Sequence, residues 1–97
     1  MRFDWDDRKA ASNLRKHRIG FDVGITAFDD PFALIAADRS HSTASEERHW
    51  LIGESDVGVL VVVFTIRHPG NIYRLISARP ASRKERFRYE EAKRVPL

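Results

Sequence analysis

Apolar positions recur along the chain in two different rhythms. From Asp6 to about Gly20, Ala10, Leu14 and His17 fall at three- and four-residue spacing, which predicts a helix with those residues on one face and Asp6 and Asp7 as its cap. Ahead of it, Phe3 and Trp5 alternate with polar neighbours as a short strand over Arg2–Trp5. Asp22 is placed to cap a second, short helix with Phe21, Ile25 and Phe28 as its buried side, and Asp29-Asp30-Pro31 ends it. Beyond Pro31 the period shortens. Phe32–Ala37, Arg48–Gly53, Val57–Ile66 and Ile72–Arg79 are β-rich runs divided by polar or glycine-containing breaks, the pattern of an antiparallel meander. Val59 to Phe64 lacks polar alternation and belongs at the sheet centre, covered on both faces. Pro80-Ala81-Ser82 opens a last helix, with Ser82 and Glu85 at capping-box spacing and Phe87 and Ala92 turned to the core. The expected fold class is α+β: N-terminal helices, a four-stranded mainly antiparallel sheet, and a C-terminal helix.

Composition narrows the class further. The 97 residues, 42% hydrophobic and 32% charged, suffice for one core and not two, and no repeat or linker divides them. A single domain over 1–97 is expected. No apolar run approaches the roughly 20 residues needed to span a bilayer, and the opening Met1 to Asp7 has no signal-peptide core. The expectation is a cytoplasmic protein without a membrane partner. The absence of cysteine excludes disulfides and thiolate metal sites. His41, His49 and His68 have no second ligand at metal spacing, so neither a metal nor a cofactor is expected, and the glycines lack the strand-to-helix context of a phosphate loop.

Charge is distributed unevenly. Residues 1–66 carry 8 basic and 11 acidic side chains, and residues 67–97 carry 9 basic and 3 acidic ones. A basic end on a small protein fits a polyanion, whose condensed counterions are released when Lys and Arg meet phosphate, though a charge run is also the ordinary make-up of a solvated helix face. If the strands form consecutive hairpins, closing 53–57 sets Arg48 opposite Val62, and closing 68–71 sets Leu60 opposite Arg79. Arg48 and Arg79 then share a face near the start of the last helix, where Arg83, Lys84 and Arg86 follow. Converging guanidinium groups suit a phosphodiester and the charge it gains on cleavage. Arg67 falls at the other end of its hairpin, on the order of 20 Å away. His17, with Lys16 at the helix end, is read equally as a helix-dipole partner or as a proton-transfer group. Tyr89 fits core packing better than base stacking, and Trp50 is a core aromatic that also neighbours Arg79 in this register.

These residues carry a family resemblance that runs nearly end to end. Phe3-Asp4-Trp5-Asp6 through Lys9 and Asn13, Lys16-His17 to Phe21, Phe28 to Pro31, His41 to Glu47-Arg48, Ile52 to Ser55, and Ile76 to Arg79 through Arg83, Glu85, Arg86 and Tyr89 resemble the BrnT toxins of bacterial type II toxin–antitoxin systems. The resemblance implies a RelE-like ribonuclease fold, growth arrest by RNA cleavage, and a BrnA-like antitoxin with a ribbon-helix-helix domain, DNA being reached only through that antitoxin. Arg18 stands where the family often has Gly, Ile66 where an acidic residue commonly precedes the Arg at 67, and Pro80 where Lys is frequent.

The mechanism expected from both readings is metal-free transesterification that inhibits translation. Arg79 and Arg48 stabilise the phosphorane, and His17, Lys16 and Tyr89 are the candidates for proton transfer. Arg83, Lys84, Arg86, Arg67 and Trp50 hold the RNA. Arg79→Ala is expected to abolish toxicity with the melting temperature nearly unchanged. The alternative is a non-catalytic basic module that docks an acidic partner or contributes to DNA-bound repression.

Overall fold

The computed structural model describes residues 1–94. The chain runs β1 (Arg2–Trp5), α1 (Asp7–His17), α2 (Phe21–Gly24), a 3-10 turn (Ile25–Asp29), β2 (Leu34–Ala37), a 3-10 turn (Arg39–His41), β3 (Glu46–Ser55), β4 (Gly58–Arg67), β5 (Ile72–Pro80) and α3 (Arg83–Arg94). The strands form one mixed sheet in the order β1-β5-β4-β3-β2. Five strands replace the four of the antiparallel meander, because the N-terminal strand returns to the sheet and pairs with β5 in parallel, Phe3 opposite Tyr73. β4 holds the centre, as its unbroken apolar run predicts.

One sheet face is covered by the N-terminal elements. Ile19, Phe21 and Ala27 pack on Leu51, Leu60, Val62, Phe64, Leu75 and Ala78, with Phe3, Trp5 and Phe28 closing the layer. α3 covers only part of the opposite face, where Tyr89 and Ala81 meet Ile52 and Val61. Phe87 does not turn inward as expected and is 67% exposed. Residues two apart on a helix point to nearly opposite sides, so burying Tyr89 turns Phe87 to solvent; Ala92 near the helix end is exposed as well.

α1 begins where Asp6 Oδ1 accepts the Arg8 and Lys9 amides at 2.8 and 3.2 Å, bonds that hold the Asp6 carboxyl below its ordinary range. It ends at His17, three residues before Gly20, through Arg18 in the left-handed region at φ 63°. The helix buries Asn13, and Leu14 is 51% exposed against expectation. The cause lies at the sheet margin. β1 stops at Trp5, leaving the rest of β5 without a neighbour on that side, and Asn13 takes the missing strand's place. Its Nδ2 donates to Ala78 O at 2.7 Å and to Ile19 O at 2.9 Å, while its Oδ1 accepts from Ala78 N at 3.1 Å.

The β3–β4 register differs from the sequence expectation by three residues. Gly53 reads as a turn, yet it lies buried within β3, and the hairpin closes further on with Ser55 opposite Gly58. A β-carbon at Gly53 would sit 2.8 Å from the Ala27 carbonyl oxygen, so close backbone approach and not a turn requires glycine there. Gly58, at φ 107°, supplies the turn. Arg48 therefore faces Thr65 and not Val62. In β4–β5 the expected pairing of Arg67 with Ile72 is present, but a bulge places Val63 opposite Ser77 and Phe64 opposite Leu75, so Arg79 faces Val61 and not Leu60.

Candidate functional site

Both displacements are odd, so their effects on side-chain facing cancel: Arg48 and Arg79 still share a face, the one that α3 partly covers. Their spacing along the strands doubles, since Thr65 and Val61 mark rows four residues apart. The structure thus separates two zones on this face, where the sequence places one cluster.

The zone beyond α3 is an arginine row. Arg48 on β3, Thr65 on β4 and Arg74 on β5 stand opposite one another across the three inner strands, with β-carbons of adjacent members about 5 Å apart. Each arginine has an acidic neighbour at its outer side. Arg74 Nη1 lies 3.4 Å from Asp4 Oδ1, and Arg48 Nε 3.8 Å from Asp38 Oδ2. Between them Thr65 is 4% exposed, and its hydroxyl has no hydrogen-bond partner among the described residues; neither does the buried Arg48 Nε. Arg67 follows two residues along β4, next to this row and remote from Arg79. With Asp6, Lys9, Glu46, Thr65, Arg74, Leu75 and Ile76 it lines a depression of about 230 Å³. Lys9 and Ile76 also border a neighbouring hollow of about 160 Å³ shared with Lys16, His17 and Ser77. The polar side of α1 is therefore a rim of the same surface, and the β5 bulge at Ile76 lies where the two hollows meet.

The second zone lies at the foot of α3. Arg79 forms a two-point pair with Glu85, Nη1 to Oε1 at 2.7 Å and Nη2 to Oε2 at 2.8 Å. Glu85 also accepts from the Ser82 amide at 2.8 Å, and Ser82 Oγ accepts from the Glu85 amide at 3.2 Å, which completes the expected capping box. The arginine bond holds the Glu85 carboxyl down to about 2, against a burial penalty that pushes the other way. The Glu85 hydrogen bond in turn raises the Arg79 titration. Trp50, Ile52, Val61, Val63, Arg79, Glu85 and Arg88 line a mainly apolar depression of about 310 Å³. Trp50 and Arg79 line the same depression but stand in rows two residues apart along β4, not in the single row that the sequence register sets, whereas Arg83, Lys84 and Arg86 are exposed on α3.

Tyr89 is fully buried, and its hydroxyl donates to Asp30 Oδ2. Asp30 also accepts the Phe32 and Glu54 amides at 2.9 and 2.8 Å. Burial first, and then the Asp30 carboxylate, push the phenol's titration well above its ordinary value. The hydrogen bonds received by Asp30 outweigh its own desolvation and hold its carboxyl down. Tyr89 thus fastens α3 to the turn before β2.

Thr65 and Arg74 were not among the residues singled out from sequence. An isolated Thr in a β-run carries no signal; only the observed register sets it between two arginines. Among the described residues, no three His, Asp or Glu side chains group as metal ligands, and no helix is long and apolar enough to cross a membrane.

A family model described as the ribonuclease toxin BrnT of type II toxin–antitoxin systems matches residues 5–85. The chain belongs to the BrnT family. The match extends from the end of β1 to the capping glutamate of α3, and so includes the whole arginine row. A search of curated proteins returns no match. Membership assigns this BrnT chain the general role of a ribonuclease toxin and implies an antitoxin partner.

Proposed function

We propose that this BrnT chain cleaves RNA by metal-free transesterification on the arginine row, and that it inhibits translation by doing so. The observation that carries the reading is the buried Thr65 hydroxyl between Arg48 and Arg74, unpartnered among the described residues. A buried hydroxyl without a partner costs free energy, and a phosphate oxygen would satisfy it while the flanking guanidinium groups neutralise the charge. The substrate's 2′-oxygen attacks the adjacent phosphorus, the bond to the 5′-oxygen breaks, and the products are a 2′,3′-cyclic phosphate and a free 5′-hydroxyl.

Arg48 and Arg74 stabilise the phosphorane, whose extra charge makes their contacts stronger than in the ground state. Arg67 and Lys9 hold a neighbouring phosphate, and Lys16 and His17 on the α1 rim serve proton transfer at the leaving oxygen. Arg79, held by Glu85, forms with Trp50 and Arg88 the wall against which a flanking base stacks. Arg83, Lys84 and Arg86 extend the basic track along α3. The antitoxin is a BrnA-like protein with a ribbon-helix-helix domain, through which the pair reaches DNA, and its capture of the toxin covers the basic groove.

The test is incubation of the purified chain with a labelled RNA oligonucleotide and with the same oligonucleotide 2′-deoxy at each position in turn, both in excess chelator. Cleavage ending in a cyclic phosphate, blocked by one deoxy substitution and lost in Arg48→Ala and Arg74→Ala, is the expected result. Binding without cleavage by a toxin-active preparation identifies a basic docking module instead.

A further inference from the structure

The turn between β2 and β3 holds a cluster of polar side chains that the arginine row does not account for. Asp38 follows β2 directly, and its amide donates to Arg48 O at 2.7 Å, so it continues the pairing across from Arg48 with its side chain on the same face of the sheet. The 3-10 turn Arg39–His41 then folds His41 back onto it. His41 Nδ1 lies 3.0 Å from Asp38 Oδ2, and Ser40 Oγ donates to Asp38 Oδ1 at 2.9 Å while lying 3.1 Å from His41 Nδ1. Arg48 Nε approaches that same Asp38 Oδ2 at 3.8 Å. One carboxylate oxygen thus brings an imidazole beside the guanidinium of the proposed phosphate site.

We propose that His41 is the general base of the reaction, oriented by Asp38. This assignment rests on the ribonuclease reading above. With Nδ1–H donated to Asp38, the ring carries its lone pair on Nε2, and the side chain is 63% exposed, open to substrate. Hydrogen bonds from Ser40 and His41 hold the Asp38 carboxyl down, so it stays ionised to balance the imidazolium. As the 2′-oxygen bonds to phosphorus, its proton passes to His41 Nε2. Breakdown of the phosphorane breaks the bond to the 5′-oxygen, which takes a proton from the α1 rim or from water. The imidazolium then returns its proton to solvent, and charge and atoms balance without any co-reactant. Asp38 on its own turn lies against the ring, and Arg48 on β3 approaches the same Asp38 oxygen at 3.8 Å.

Single-turnover cleavage of an RNA oligonucleotide by the wild type, His41→Ala and Asp38→Asn tests this, with melting curves to establish that each variant is folded. Loss of a general base lowers the rate by about 10²–10⁴. His41→Ala is expected to lose activity in that range while keeping its affinity for a 2′-deoxy analogue, and added imidazole is expected to restore part of the rate. A folded His41→Ala that cleaves at the wild-type rate, or whose loss imidazole leaves unchanged, overturns the assignment while the wild type still cleaves. A wild-type chain that leaves RNA intact overturns the ribonuclease reading itself, and the two failures are distinct.

Discussion

Arg79 and Glu85 meet fork to fork at the junction of β5 and α3, at 2.7 and 2.8 Å, and the glutamate closes the helix cap with the Ser82 amide at 2.8 Å. A pH dependence follows. Glu85 titrates at about 2 in the folded chain, below the ordinary 4.5. A depressed carboxyl adds stability above its unfolded value, and that stability fades as pH falls from about 5 toward 2. With Arg79 38% exposed, solvent screening reduces the contribution to about 1–2 kcal/mol. Glu85→Gln should melt lower than the wild type at pH 7, with the two curves converging near pH 2. Arg79→Ala should also lower the melting temperature at neutral pH, contrary to the sequence expectation that its melting is unchanged. Thermal melts across pH measure both.

Thr65→Val separates stability from activity. The hydroxyl is buried without a partner among the described residues, so an isosteric methyl removes an unsatisfied group and raises stability by roughly 0.5–1 kcal/mol. RNA cleavage should fall about tenfold, the worth of one hydrogen bond to a charged group. Denaturant melts and initial rates on one preparation decide it.

Tyr89→Phe should do the reverse. Removing the hydroxyl leaves Asp30 with the Phe32 and Glu54 amides only, at a cost of about 1–2 kcal/mol. The ring still fills the core, and cleavage by the folded variant should stay within a factor of two or so of the wild type, a change below about 0.5 kcal/mol in the barrier. A cleavage assay below the melting range checks this.

Arg18→Gly should stabilise the chain. Arg18 holds φ 63° at the end of α1, where a side chain is strained and glycine is not. About 0.5–1 kcal/mol is expected, read as a rise of a few degrees in melting temperature. The left-handed backbone also accounts for the glycine that resembling sequences often carry there.

Local rules made much of the fold legible. Asp6 caps α1, Ser82 and Glu85 cap α3, and the Val59–Phe64 run marks the central strand, because each depends on near neighbours in sequence. What stayed hidden depends on contacts between distant segments. Gly53 is required by the Ala27 carbonyl and not by a turn. The bulge beside Val63 has no marker in Ile76-Ser77. Asn13 is buried and Leu14 exposed because a strand ends early elsewhere. The candidate site inherits those errors: parity kept Arg48 and Arg79 on one face, but row spacing decides which groups can share a phosphate, and it joins Arg48 to Arg74 instead. His41 carries no metal-ligand spacing, and its contact with Asp38, three residues earlier, becomes visible only when the 3-10 turn folds the ring back onto that carboxylate.

The amide of Asn13 that stands in for a strand at Ala78 does more than satisfy two backbone groups. An unfilled sheet margin is a template on which a foreign chain can add itself. One side chain, too short to be extended by further pairing, seals that margin and ends the sheet there. Asn13→Ala would reopen it, so the variant's characteristic defect would be association between molecules, rising with protein concentration, in addition to weaker folding.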